Sequence, residues 1–289
     1  MRFEASHSPT NSTGELRVTK FPASDGRLAY TSYVRAGLKP HSRAVLLHGF
    51  TQSSESFRSI ACALSLSRPV ETICVDLPFH GGSVDVNADL TQAAELLYDF
   101  GSDAIWFGYS LGARHLLTLC LRHPENRWKA IFSGVNPGIE DEEERQRRYL
   151  SDLALARELR LLDRDQSGFR EFLDRWTALP VFQPRNALSE DVEARLANSP
   201  EGLARSLENS SVGVQPNLWP LLSTLRGEVV LLTGACDSKY LQIAEVMESM
   251  LATSADVVLR RKTIDGLGHS AVFDRPDLVV EAIVSLTVR

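Results

Sequence analysis

A serine hydroxyl is a weak nucleophile and a weak base unless a neighbouring group takes its proton, so chemistry at serine needs a specific setting. Phe107-Gly108-Tyr109-Ser110-Leu111-Gly112-Ala113 offers one: G-x-S-x-G, with an apolar run before it and a helix-compatible run after it. A sharp strand-to-helix turn there would expose the Ser110 hydroxyl beside a helix N-terminus, whose backbone N–H groups favour developing negative charge. Gly108 and Gly112 are expected because side chains at those positions would collide with the neighbouring strand and helix. The partners of such a serine follow it in the order Asp, His. Val229–Thr233 leads into Gly234-Ala235-Cys236-Asp237, and Gly266-Leu267-Gly268-His269 follows. In that arrangement His269 takes the Ser110 proton, while Asp237 orients the imidazole and stabilises its charged form. His48-Gly49-Phe50, after the apolar run Ala44–Leu47, supplies the other half of an oxyanion hole, predicted as the amides of Phe50 and Leu111. His48 is read as a residue that shapes this loop, and Asp76 as a structural turn residue.

These residues must be held by a scaffold, and the apolar runs describe it. Segments 28–35, 43–47, 71–75, 104–107, 130–132, 229–233 and 257–259 read as strands, most of them continuous apolar runs suited to strands buried on both faces. Helical segments at 54–66, 89–100, 111–122, 239–251 and 277–287 alternate with them, which predicts an α/β class with a doubly wound, mostly parallel sheet. The alternation stops between 138 and 216, where only helices are predicted, at 141–162, 167–177, 189–197 and 200–209. We therefore expect a core of 15–137 and 217–289, a helical lid inserted at 138–216 over the carboxyl edge of the sheet, and a loose tail at 1–14.

Composition bounds the partners. The 289 residues carry a net charge of −6, which argues against nucleic acid or an anionic membrane surface. No apolar run approaches the ~18–20 residues of a membrane span, and the first residues lack the apolar core of a signal peptide, so a cytoplasmic protein without membrane insertion is expected. Cys62, Cys74, Cys120 and Cys236 are widely spaced and read as reduced. No metal site, phosphate loop or cofactor motif is present in the sequence, so no cofactor is expected, and nothing in it specifies an oligomeric state.

From about Ala44 to the C-terminus the chain resembles the 2-succinyl-6-hydroxy-2,4-cyclohexadiene-1-carboxylate synthases of menaquinone biosynthesis, a family of the α/β-hydrolase superfamily. The resemblance rests on an ordered series. It comprises His48-Gly49-Phe50, Asp76-Leu77-Pro78 with His80-Gly81-Gly82-Ser83, and Gly108–Gly112 with Arg114. It continues through Asn136-Pro137-Gly138, Glu144-Arg145, Arg148, Trp176 and Pro180-Val181-Phe182, to Gln215-Pro216 and Gly234 with Asp237-Ser238-Lys239-Tyr240. It implies an α/β-hydrolase fold and a lyase that eliminates pyruvate from an enolpyruvyl cyclohexene precursor, its triad acting as a base toward a carbon-bound proton. The implied substrate is a small molecule with three carboxylates, bound by Tyr109, Arg114, Arg148, Trp176 and Arg195. Arg145 and Arg148, spaced i, i+3, should share a lid-helix face and both meet carboxylates, which guanidinium groups bind in bidentate fashion. The chain departs from the family at Phe79, where glycine is usual and where the ring is expected to shape the pocket mouth, at Ala113, and at Ser270. A serine hydrolase of a small ester or carbon–carbon bond would use the same triad and is the alternative reading.

Overall fold

Apolar runs too short for a helix and flanked by turns become strands here, and their depth of burial decides their order in the sheet. In a computed structural model, which describes residues 15–24, 26–162, 166–184 and 189–287, eight strands form one sheet. They are β1 (Leu16–Phe21), β2 (Tyr30–Arg35), β3 (Ser42–Leu47), β4 (Val70–Val75), β5 (Ile105–Tyr109), β6 (Trp128–Ser133), β7 (Gly227–Gly234) and β8 (Val257–Ile264), in the order β1-β2-β4-β3-β5-β6-β7-β8. β1 pairs antiparallel with β2 and β2 with β4; every other pairing is parallel. The strand order reverses at β3, which lies between β4 and β5. That reversal opens a crevice at the carboxyl ends of β3 and β5.

The apolar-run criterion finds the central strands, misses the β1 rim and finds only the start of the β8 rim. Ala44, Val45, Leu46 and Leu47 of β3 are wholly buried, as continuous runs require. β1 was absent from the predicted strands because an edge strand needs few apolar residues, and five of its six positions are exposed. β8 likewise runs on past Leu259 through Arg260-Arg261-Lys262, alternating half-buried and exposed residues at the other rim.

Helices α1 (Arg58–Ser67) and α10 (Pro276–Thr287) cover one face around Phe57, Phe107 and Val279; α2 (Leu90–Tyr98), α3 (Leu111–Arg122) and α8 (Ser238–Leu251) cover the other around Trp106, Leu116 and Trp128. A short helix α9 (Ala271–Asp274) precedes α10. Between β6 and β7 the chain makes α4 (Glu142–Leu161), α5 (Gln166–Thr177), α6 (Ser189–Arg195) and α7 (Pro200–Ser210). These four hold an apolar cluster of their own, including Leu159, Phe172, Leu173 and Leu203, and Phe50 from the β3 loop packs into it. Arg160 on α4 reaches Glu201 at 2.9 Å and also pairs with Glu208, tying α4 to α7. The expected tail at 1–14 lies outside the described residues. The cysteines are free; Cys74 and Cys120 are buried, whereas Cys236 is exposed. Among the described residues no helix is long and apolar enough to cross a membrane.

Candidate active site

Ser110 sits between β5 and α3 at φ 51° and ψ −106°, a backbone conformation that costs a non-glycine residue energy and points its side chain out of the sheet. The turn is possible because its flanks are bare. A Cβ on Gly112 would lie 2.2 Å from the Leu47 carbonyl oxygen, and one on Gly108 would lie 2.7 Å from the Ala113 Cα. His269 Nε2 is 3.0 Å from Ser110 Oγ, and His269 Nδ1 is 2.6 Å from Asp237 Oδ2. The carboxylate can only accept, so Nδ1 carries the proton and Nε2 is left to accept from the serine hydroxyl. Asp237 and His269 are both buried. Asp237 also begins α8, its other oxygen facing the Tyr240 N–H at 3.5 Å.

The histidine is boxed in from three sides. Tyr240 lies 4.4 Å from its ring centre, Tyr109 5.2 Å and Phe182 6.0 Å. On the fourth, Gly134 adopts φ 61° and a Cβ there would come within 2.4 Å of His269 Cε1. The His269 N–H donates to Val181 O at 3.0 Å, so the inserted segment fixes the loop that carries the imidazole.

Phe50 and Leu111 line the same cavity as Ser110 and His269. Among the described residues neither of their amide N–H groups donates to a protein acceptor. Leu111 is the first residue of α3, where an amide lacks an intrahelical partner. Beneath this loop lies a group of buried histidines. His48 donates from Nδ1 to Gly49 O at 2.8 Å and accepts the Leu77 N–H at Nε2 at 3.1 Å, so it holds the loop in the neutral form. Asp76 accepts from the Ser54 and Gly82 amides at 2.7 and 3.0 Å, a turn-shaping role. His80 donates to Pro78 O at 2.9 Å.

Burial pushes His48 down to about 4, His80 down to about 3, and His115 well below the usual imidazole range. In the unfolded chain these groups titrate near ~6.5. Between that value and their native ones the unfolded state binds more protons, so stability is lost as pH falls through this window. Each such histidine should cost ~2 kcal/mol by about pH 5. Asp76, raised by burial, offsets part of the loss at lower pH. Urea titrations at pH 7.5 and 5 should show a clearly lower midpoint in acid; equal midpoints would contradict the neutral, buried state of these rings.

The cavity over Ser110 holds about 310 Å³. Its lining includes Tyr109, Arg114, Arg148, Trp176 and Arg195. Arg114 is buried, donates to Gln215 Oε1 at 3.0 Å, and is drawn down by burial to about 10, so it stays charged at neutral pH. Arg195 is buried at the end of α6, where its Nη1 donates to Thr51 Oγ1 and comes within 3.5 Å of Phe50 O. The Trp176 ring packs on Phe50 at 5.1 Å while one side faces the cavity.

Arg145 does not line the cavity. It pairs with Glu142 on the exposed outer side of α4, whereas Arg148 is drawn inward by a buried acid, Asp152. Shared helical spacing placed the two arginines together; the different depth of their carboxylate partners separates them. Phe79 is also away from the cavity, fully buried with the Arg205 guanidinium 4.7 Å above its ring. Its φ of 69° shows why glycine suits that position.

Three titratable residues of the lining have no role assigned from the sequence: Asp152, Lys239 and Tyr240. Asp152 was legible in principle, since it stands four residues after Arg148 on one helix face. Burial raises the Tyr240 phenol, keeping it neutral, and Lys239 stands at the exposed rim. The charged lining thus comprises Arg114, Arg148, Arg195 and Lys239 against the single carboxylate of Asp152.

A serine, an imidazole and a carboxylate aligned at the switch point of a doubly wound sheet, under inserted helices, are the site of an enzyme with the α/β-hydrolase fold. The chain belongs to the alpha/beta hydrolase family, whose model matches residues 44–282. It is 31% identical over 260 residues to the 2-succinyl-6-hydroxy-2,4-cyclohexadiene-1-carboxylate synthase of Serratia proteamaculans (strain 568), covering 85% of this chain and 93% of that protein. It is 28% identical over 250 residues to the synthase of the same name from Escherichia coli O1:K1 / APEC, covering 84% and 92%. Among solved structures, MenH from S. aureus superposes with a TM-score of 0.73 at 27% identity, covering 89% of this chain and 96% of that one.

Proposed function

We propose that this enzyme eliminates pyruvate from 2-succinyl-5-enolpyruvyl-6-hydroxy-3-cyclohexene-1-carboxylate to give 2-succinyl-6-hydroxy-2,4-cyclohexadiene-1-carboxylate. One observation carries the reading: the Ser110 hydroxyl, hydrogen-bonded to His269, opens into a cavity whose charged lining is four cations and one acid. A small tricarboxylate suits such a lining, and the relatives above carry the name of this synthase. Tyr109, Arg114, Arg148, Trp176 and Arg195 are the residues we assign to substrate binding.

In this mechanism His269 withdraws the Ser110 proton and the serine oxygen removes a carbon-bound proton from the ring, with Asp237 stabilising the imidazolium. The negative charge passes into a substrate carbonyl held by the Phe50 and Leu111 amides. Electrons then move through the ring to form the second double bond and break the carbon–oxygen bond to the enolpyruvyl group. The departing enolate takes up the proton and leaves as pyruvate, so no water or oxidant is consumed. The site of action is expected to be the cytoplasm.

The test is pyruvate release from enzymatically prepared substrate, followed by NADH oxidation with lactate dehydrogenase. Folded protein that releases none above the uncatalysed background ends this reading. The same serine–histidine contact also suits acyl transfer, and rapid p-nitrophenyl ester turnover with stoichiometric labelling of Ser110 would favour a serine hydrolase instead.

A further inference from the structure

A carboxylate lining a pocket meant for carboxylates needs an explanation, and Asp152 is one. It is 5% exposed and faces the same cavity as Arg148. Arg148 Nε lies 3.0 and 2.9 Å from its two oxygens, so one N–H spans the whole carboxylate. Among the described residues the Nη1 and Nη2 groups of Arg148 meet no acceptor. A guanidinium has two hydrogen-bonding edges that take a carboxylate in fork geometry, and here the terminal pair is left for a ligand.

Asp152 is in turn held. Ser211 Oγ donates to its Oδ2 at 2.6 Å, and that hydroxyl accepts the Gly213 N–H at 2.9 Å. Gly213 lies so close to α4 that a Cβ would come within 2.6 Å of the Tyr149 amide nitrogen, which pins the segment to the helix. Two residues on, Gln215 accepts from Arg114 and donates to Asn136 O at 2.9 Å. One short stretch after α7 therefore braces two of the cavity's arginines.

We propose that Asp152, locked by Ser211, is a positioning residue that aims the free edge of Arg148 at a substrate carboxylate and thereby sets recognition of an anionic group at that side of the cavity. The proposal deepens the reading of a carboxylate substrate and rests on it. Two effects oppose each other here. Removing Asp152 would leave Arg148 with uncompensated charge, which attracts anions, but would also free a long side chain to wander, which costs ordering on binding. With Nε held by both oxygens, orientation dominates.

The test is a double-mutant cycle read by the KM and kcat of pyruvate release, and in parallel by calorimetric binding of propane-1,2,3-tricarboxylate. Asp152→Ala should raise KM about tenfold with kcat within about threefold, and Ser211→Ala should move KM the same way by less. The double variant Asp152→Ala/Arg148→Ala should match Arg148→Ala alone within about twofold, since Asp152 acts only through Arg148. A merely structural Asp152 would give multiplying effects, which overturns the proposal. So does a KM for Asp152→Ala that falls or stays put. If Asp152→Ala does not fold, Asp152→Asn and Ser211→Ala carry the same cycle. Wild-type protein that binds the tricarboxylate but releases no pyruvate defeats the proposed reaction, and the calorimetric cycle then decides the role of Asp152 by itself.

Discussion

Ser110→Ala should lower kcat for pyruvate release by ~10³-fold or more while leaving KM within a few-fold. The hydroxyl is 3.0 Å from His269 Nε2, and no other lining oxygen stands in that place. In the proposed mechanism the imidazole then has no relay to the ring carbon, and the cost is the loss of a unit, not of one hydrogen bond. The backbone strain at φ 51° is carried equally by serine and alanine, so the thermal midpoint should hardly change. Turnover by the alanine variant above about a tenth of wild type would sink the proposed role of the serine. Mass spectrometry adds a second reading. If the serine works as a base, trapped turnover of the wild-type protein shows no covalent adduct, whereas an acyl-enzyme would be visible.

Arg148→Ala should raise KM for the proposed tricarboxylate substrate by ~10–100-fold, the value of a charge-assisted bidentate contact, with kcat changed little. For a neutral p-nitrophenyl ester the same variant should be nearly silent. The contrast is cleanest at this arginine. Its side chain is 40% exposed, so its loss leaves no buried charge behind except that of Asp152, which keeps its Ser211 donor. Arg114 is buried and bonded to Gln215, and Arg195 braces the loop of Phe50 and Thr51, so removing either one mixes binding with local folding. Added salt should weaken the wild-type preference for the anionic substrate and leave the variant less affected. Equal effects of Arg148→Ala on charged and neutral substrates would remove the case for a carboxylate at this edge.

The residues of the triad could be read directly because their geometry is local. A strand, a turn made tight by Gly108 and Gly112, and a helix define Ser110 within a few residues, and the same holds for Asp237 at the end of β7. The family resemblance then supplied Arg114, Arg148, Trp176 and Arg195, each of which lines the cavity. Periodicity misjudged Arg145, since spacing reports a helix face but not how deep a neighbouring carboxylate lies. The comparison with the family's usual glycine likewise placed Phe79 at a mouth from which Arg205 and the surrounding packing exclude it.

What the amino-acid order determined by itself is therefore the parts with short-range causes: the alternation of strands and helices, the nucleophile turn, and the two loops that hold its partners. The tertiary structure alone decided the rest. Gly134 matters only because His269, distant along the chain, rests against it. Asp152 is a pocket residue only because Ser211 and the Gly213 turn close on α4 after the later helices of the insertion have packed into one cluster with Phe50. Edge strand β1 escaped the apolar-run test, and β8 was recognised only over its first three residues, because solvent covers the side that a neighbour would have made hydrophobic. Contacts between residues far apart in the chain depend on which faces bury against one another, and that is a property of the packed molecule.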